Sequence, residues 1–352
     1  MKRRSLLAAV SAATVMTLGG VGYAAHRRSR NPYYSGPKSD HFDGIRFHSP
    51  DQATDKDLTD VIRWQLSRSG EPWPKRFPSP FSDKPPERVD GLRVALIGHA
   101  SYLVQVAGRN ILIDPVFAKR ASPVAFAGPR RVNPPGIAFD DLPPIDAVLI
   151  THNHYDHLDG PAMALLWQRH QPLVVAPLGN DAILRAYDDT MHVEVRDWGG
   201  SVDLGGGVTA HLTPAYHWSA RGLNDRRMAL WCAYVITSAS GVHYHAGDTG
   251  LGDGAIFRAA RERFGPPRLA TLPIGAYEPR WFMQPQHMNP TDAVEAAALL
   301  GASQALGHHW GTFRLTDEGV ERPVEALSAA CEAAGRDPAT FLALRPGQVW
   351  TA

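Results

Sequence analysis

From Leu92 onward the chain alternates short, dense apolar runs with stretches whose apolar residues recur at helical spacing. Leu92–Ile97, Tyr102–Val106 and Asn110–Ile113 are β-rich and parted by Gly98-His99 and Gly108-Arg109, the pattern of an antiparallel meander. Ile145–Ile150 is a nearly continuous apolar strand that runs straight into a group of histidines. A helix over Pro161–Arg169, a strand over Leu173–Ala176 and a helix over Asp181–Tyr187 follow. Strands are then predicted at His192–Val195, Val208–Leu212, Leu230–Ile236 and Val242–Ala246, a helix at Ala255–Arg263 and a strand at Leu269–Ile274. The series closes with a helix at Thr291–Leu300, a strand at Gln304–Gly307 and a helix at Pro323–Ala334. Strands alternating with helices over this length exceed one simple sheet, so the expected architecture is α/β, two sheets with helices outside them.

Residues 26–90 break the pattern. They are rich in Pro, aromatic and polar residues, as in Asn31-Pro32-Tyr33-Tyr34 and Glu71-Pro72-Trp73-Pro74, with one short helix predicted around Asp55–Arg68. This reads as an extension wrapping a main domain at residues 91–352. Residues 1–25 stand apart again: Lys2, Arg3 and Arg4 precede the uncharged, mostly apolar stretch Ser5–Ala25, which reads as a signal peptide or a membrane anchor. Gly22 and Ala24 offer a small-x-small cleavage site, and Arg3-Arg4-Ser5-Leu6-Leu7 resembles a twin-arginine signal. The expectation is export to the periplasm or anchoring to the inner membrane.

Composition narrows the function. Lys+Arg 36 against Asp+Glu 35 leaves a formal charge of +1, with no dense basic run in the main domain to follow a phosphate backbone, so nucleic acid is not expected as a partner. Two cysteines, Cys232 and Cys331, are too few and too far apart for a thiolate metal site, and whether they pair is left open, as is homodimer formation. The 16 histidines stand out, because several lie beside carboxylates.

Thr151-His152-Asn153-His154-Tyr155-Asp156-His157 follows directly on an apolar strand. Three imidazoles and a carboxylate in six positions supply neutral nitrogen and anionic oxygen donors suited to a borderline-soft cation such as zinc. They cannot all reach one ion; His152 and His154 project together while Asp156 and His157 turn towards a neighbouring position, which implies two adjacent ions. Further candidates follow later strands: His217 in Pro214-Ala215-Tyr216-His217-Trp218, Asp248 in His245-Ala246-Gly247-Asp248-Thr249-Gly250, and His309 in Gly307-His308-His309-Trp310-Gly311.

The His-x-His-x-Asp-His core with a lone His, a Gly-Asp and a late His resembles the metallo-β-lactamase superfamily. The run Leu272-Pro273-Ile274-Gly275-Ala276-Tyr277-Glu278-Pro279-Arg280-Trp281-Phe282-Met283, then Gln286-His287 and His309-Trp310-Gly311-Thr312-Phe313, resembles its branch of N-acylphosphatidylethanolamine-hydrolysing phospholipases D. The resemblance implies a four-layered αββα sandwich and two Zn²⁺ ions per chain, one held by His152, His154 and His217, the other by Asp156, His157 and His309, with Asp248 bridging. His309 rather than His308 is the expected ligand because it precedes Trp310-Gly311, and Asp248 argues against a true β-lactamase, where a cysteine is usual. The same resemblance places Tyr155, Gln286 and His287 along a phosphate pocket.

A water shared by two such ions loses its proton near neutrality and can attack a phosphodiester whose oxygens the metals neutralise. Asp248 is then expected to orient the nucleophile, and His287 to hydrogen-bond the phosphoryl group or protonate the leaving oxygen. His99 and Asp114, each after a strand, are candidate partners that fix ligand tautomers. The leading expectation is a zinc phosphodiesterase of phospholipase D type acting on a phospholipid substrate at a membrane surface. The alternatives are a hydrolase of another ester, such as a lactone or a soluble phosphodiester, and a non-catalytic metal-binding envelope protein.

Overall fold

Two seven-stranded sheets stacked face to face organise the computed structural model, which describes residues 30–49, 58–67 and 70–352. The first sheet holds β1 (Leu92–Gly98), β2 (Ser101–Val106), β3 (Arg109–Ile113), β4 (Ala147–Leu149), β5 (Leu173–Pro177) and β6 (Val193–Arg196) in that spatial order. β14 (Val349–Thr351) returns to pair with β1. The second runs in order through β7 (Ser201–Gly205), β8 (Val208–Thr213), β9 (Ala233–Ser238), β10 (Gly241–His245), β11 (Leu269–Pro273), β12 (Gln304–His308) and β13 (Phe341–Ala343). Each sheet is antiparallel at one end and parallel at the other, where β3–β6 and β10–β13 lie.

Helices bridge the parallel strands and cover the outer faces. α2 (Gly160–His170) and α3 (Asn180–Arg185) lie on the first sheet, while α4 (Ala255–Phe264), the short α5 (Arg280–Met283), α6 (Pro290–Leu300) and α7 (Arg322–Ala333) follow strands of the second. α1 (Leu58–Ser67) falls within the helix predicted over Asp55–Arg68, whose first three residues and last residue lie outside the described residues.

The period-2 pattern explains why the strands read as unbroken apolar runs. In β1, Leu92, Val94 and Leu96 face the second sheet and meet Val208, Ala210, Tyr234 and Leu306, while Ala95 and Ile97 face the helical layer with Met163, Leu166 and Leu184. In the second sheet Val235, Tyr244 and Ala270 turn instead towards Phe257, Ala293, Ala297 and Leu327. Strands buried on both faces carry no polar alternation. The four layers are those of the αββα sandwich.

Helix starts are set by side chains. Asn289 and Asp292 form a reciprocal capping box at α6, with Pro290 in the first turn, and Asp159 caps α2 by accepting from Ala162 N. The predicted strand over Leu230–Ile236 begins only at Ala233, because Cys232 N is already donated across to Thr151 O, 2.9 Å away in the first sheet's edge loop.

Residues 30–49 pack onto the sandwich. Phe42 and Phe47 enter the core of the second sheet, and His41 stacks on Trp198 at a centroid distance of 4.6 Å. Among the described residues no helix is long and apolar enough to cross a membrane, and the stretch Ser5–Ala25 lies outside them.

His41 ties this segment down, its Nε2 2.8 Å from Asp197 and its Nδ1 2.6 Å from Asp40. The hydrogen bond to Asp197 raises its pKa above 6.5, outweighing burial, and Asp40 adds to the rise. The folded state therefore binds the proton more tightly than the unfolded chain, so the stabilisation is complete below 6.5 and disappears as pH rises through the raised folded value. Melting curves of wild type and His41→Asn between pH about 6 and about 9 should converge as pH increases; a constant gap would show that His41 acts through packing alone.

Candidate metal centre

Every prospective donor sits just past the end of a strand, and the ends gather at one edge of the sandwich. β4 leads to His152–His157, β8 to His217, β10 to Asp248 and β12 to His309. In open α/β sheets the carboxyl ends of strands are where ligands bind, because backbone direction converges there and loops are free to vary.

Two groups of donors result. His152 Nε2 lies 3.0 Å from His154 Nδ1, which lies 3.1 Å from His217 Nε2. Ligand nitrogens around a tetrahedral zinc are about 3.3 Å apart, so these three need to move by only a few tenths of an ångström. In the second group Asp156 Oδ2 stands 3.2 Å from His309 Nε2 and 3.7 Å from His157 Nε2. Asp248 joins them: its Oδ2 is 3.0 Å from His309 Nε2, 3.3 Å from His157 Nε2 and 3.8 Å from His217 Nε2.

The surroundings select which nitrogen faces inward. His157 gives Nδ1 to Asp114 Oδ2 at 2.7 Å, while Asp114 also accepts from Thr151 N and Thr151 Oγ1. His217 gives Nδ1 to the Gln286 carbonyl at 3.1 Å, and His152 Nδ1 lies 3.0 Å from Thr151 Oγ1. Each ring is thereby fixed with Nε2 towards the centre, as metal ligation requires. His99 Nε2 reaches Asp156 Oδ2 at 3.0 Å. His99, Asp114 and His309 all adopt left-handed backbone, an arrangement that costs about 1–3 kcal/mol per residue and persists where neighbours impose it.

Electrostatics argue that cations belong here. Burial alone would push the carboxyls of Asp156 and Asp248 up, yet the surrounding imidazoles hold both well below the usual carboxylate range. Burial opposes charge on His157 and His309 too, but Asp248 and Asp156 draw protons to them, raising His157 well above its ordinary value and His309 to about 9. Burial keeps His152 and His217 far below 6.5 and His154 at about 4, so these rings are neutral with free lone pairs. His157 Nε2 and Asp248 Oδ1 are buried without hydrogen-bond partners. Orphaned donors around paired carboxylates, with no Lys or Arg among the ion-pair partners described for Asp156 and Asp248, fit divalent metal.

The remaining sequence candidates fall at or beside this centre. His287 is buried, with its ring 5.0 Å from His217 and Nδ1 3.9 Å from Asp248 Oδ2. Gln286 is buried and contributes its backbone carbonyl to His217, while its amide contacts Met283 Sδ at 3.8 Å. Tyr155 is half-buried, and its hydroxyl donates to the Arg221 carbonyl at 3.1 Å. His308, the last residue of β12, faces away from the donors and stacks on His245 at 5.2 Å.

The segment Leu272–Met283 earns its place under His309. At Gly275 a Cβ would lie 2.1 Å from the His309 carbonyl oxygen, so only glycine allows this approach. Glu318 pins the same turn by accepting from Ala276 N, Glu278 N and Thr316 Oγ1. Arg221 and Thr151, which organise the ligand loop, were not anticipated; Arg221 meets that loop across more than sixty residues of sequence, and no local motif marks it.

A four-layered sandwich with this donor set at its edge defines a metal-dependent hydrolase of the metallo-β-lactamase fold, and the chain belongs to that superfamily: residues 109–310 match the β-lactamase superfamily domain. Among individual proteins, it is 36% identical over 272 residues to N-acyl-phosphatidylethanolamine-hydrolyzing phospholipase D 1 of Caenorhabditis elegans, covering 74% of this chain and 76% of that protein. It is also 37% identical over 279 residues to an uncharacterized protein of Mycobacterium tuberculosis, covering 77% and 72%. Among solved structures, the isothiocyanate hydrolase from Delia radicum gut bacteria shares the fold with a TM-score of 0.59 at 22% identity, over 74% of this chain and all (100%) of that one.

The two adjacent histidines should separate cleanly. His309→Ala is expected to lose metal, measured by elemental mass spectrometry of the purified protein. His308→Ala should keep it while losing about 2 kcal/mol of stability to the cavity left between the sheets. Metal loss in His308→Ala alone would reverse the assignment.

Proposed function

We propose that this chain is a zinc-dependent phosphodiesterase of phospholipase D type, acting on N-acylphosphatidylethanolamine-like glycerophospholipids at a membrane surface. The observation that carries the reaction class is the position of Asp248, one carboxylate oxygen within 3.0–3.8 Å of His309, His157 and His217, and so shared between the two donor groups. The substrate class rests on the activity in the name of the worm relative, together with the Leu272–Met283 and Gln286-His287 segments that build the floor of the site.

In this reading His152, His154 and His217 would hold one zinc and Asp156, His157 and His309 the other, with Asp248 placed within reach of both donor groups. When bound, the metal pair lowers the pKa of water and neutralises phosphoryl oxygens. The chain's own groups do the rest. Asp248 sets the direction of attack from between the two donor groups. Asp114 holds His157, and the Gln286 carbonyl holds His217, so neither ring turns as charge develops. His287 is buried and kept neutral at a pKa of about 4, chiefly by burial; its Nδ1 has no partner and faces the centre, placed to hydrogen-bond a phosphoryl oxygen. Tyr155, half-buried between His154 and Asp156 in sequence, is the substrate-facing candidate of the same loop. Export across or attachment to a membrane belongs to the same reading and rests on Lys2-Arg3-Arg4 ahead of Ser5–Ala25.

Zinc-loaded protein incubated with an N-acylphosphatidylethanolamine in detergent should release phosphatidic acid, detected by mass spectrometry and abolished by chelator. Cleavage of a lactone or a simple phosphodiester with the lipid left intact would refute the lipid specificity. Tightly held metal without any hydrolysis would instead support a binding protein. Asp248→Asn is expected to lower kcat by at least about a thousandfold, because one carboxylate serves both donor groups; a rate within tenfold of wild type would exclude the shared role.

A further inference from the structure

Asn31-Pro32-Tyr33-Tyr34 takes no part in the chemistry above, yet a continuous path of hydrogen bonds leads from it to the ligand loop. Asn31 Nδ2 donates to Met228 O at 2.7 Å and Ile45 O at 2.8 Å, and its Oδ1 accepts from Tyr33 N and Tyr34 N. That turn aims the Tyr33 hydroxyl at Asp225 Oδ2, 2.7 Å away. Asp225 in turn accepts from Arg221 N and, at 2.8 Å, from Gly222 N, so one carboxylate gathers the loop it belongs to. Phe47 N donating to Arg227 O fastens the far side of the same loop to the extension.

Arg221 completes the path. Its Nη1 donates to Asn153 O at 3.1 Å and Leu158 O at 2.8 Å, and its Nη2 to the Tyr187 hydroxyl at 2.9 Å. The guanidinium lies 3.6 Å above the Tyr155 ring, whose hydroxyl donates back to Arg221 O. Asn153 and Leu158 bracket His154, Asp156 and His157. A single planar cation therefore grips both ends of the loop that carries three of the proposed donors.

We infer that Tyr33, Asp225 and Arg221 are positioning residues that act in series, through which the N-terminal extension sets the geometry of the metal-ligand loop. The inference rests on the reading of residues 152–157 as metal ligands. Serial action has a signature. Removing any member releases the same loop, so a second removal adds little. Arg221→Lys keeps the charge but loses the plane that lies on the Tyr155 ring and the second nitrogen that holds the Tyr187 hydroxyl while Nη1 serves the two carbonyls.

The test uses the full chain and zinc alone, with affinity measured by competition against a chromophoric chelator and the melting temperature of the apoprotein recorded in parallel. Arg221→Lys should weaken zinc binding about tenfold, the scale of losing groups that orient ligands. Tyr33→Phe should weaken it several-fold, and the double variant should match Arg221→Lys alone. Losses that multiply in the double variant, or zinc affinity unchanged in Tyr33→Phe while the melting temperature falls, would overturn the series. Should Arg221→Lys fail to fold, Asp225→Asn interrupts the same path and is read the same way. Wild type that retains no zinc would instead bring down the metal-centre reading, leaving the two failures distinct.

Discussion

Asp156 and Asp248 are buried carboxylates surrounded by imidazoles, and much of the structure around them is arranged to make that bearable. Isolated carboxylates in a low-dielectric interior are costly unless a positive partner is supplied. Here the partners are rings drawn from four separate strand ends, and three of them are held by a further group: Asp114 on His157, the Gln286 carbonyl on His217 and Thr151 beside His152, while His99 meets Asp156 directly. The left-handed turns at His99, Asp114 and His309 are tolerated for the same purpose, since each brings a polar side chain to a place an extended strand cannot reach.

The sandwich supplies the rigidity this needs. Tyr234 reaches from the second sheet to donate to Ile150 O and Val175 O of the first, at 3.0 and 3.1 Å, next to the start of the ligand loop. Cys232 N to Thr151 O crosses the same gap through backbone. The candidate donors sit on loops, and at the root of the 152–157 loop the two sheets are joined by these hydrogen bonds.

Much of this was legible in the sequence because the signals are local and strong. Dense apolar runs between helical stretches gave two sheets with outer helices, and a His-rich cluster directly after Ile145–Ile150 marked the edge where chemistry gathers. What escaped is short or distant. β13 and β14 are three residues each, and β7 offers only Val202 and Leu204 to an inward face, too little for periodicity to register. Leu230–Cys232 reads as strand by composition but is buried for another reason, with the Trp231 indole donating to Ala215 O. Arg221 carries no mark at all in its own neighbourhood, since the partners of its guanidinium, two backbone carbonyls, the Tyr187 hydroxyl and the Tyr155 ring, all lie far away in the chain.

The pairing of Arg93 with Thr351 also has a temporal side. As the polypeptide leaves the ribosome, β1 emerges early and its outer edge, the side that β14 will occupy, stays uncovered until nearly the whole domain has been translated. A nascent chain in that condition offers an open strand, apolar but for Arg93, to any neighbour, a circumstance in which a holdase that shields strand edges would matter more than one that speeds collapse.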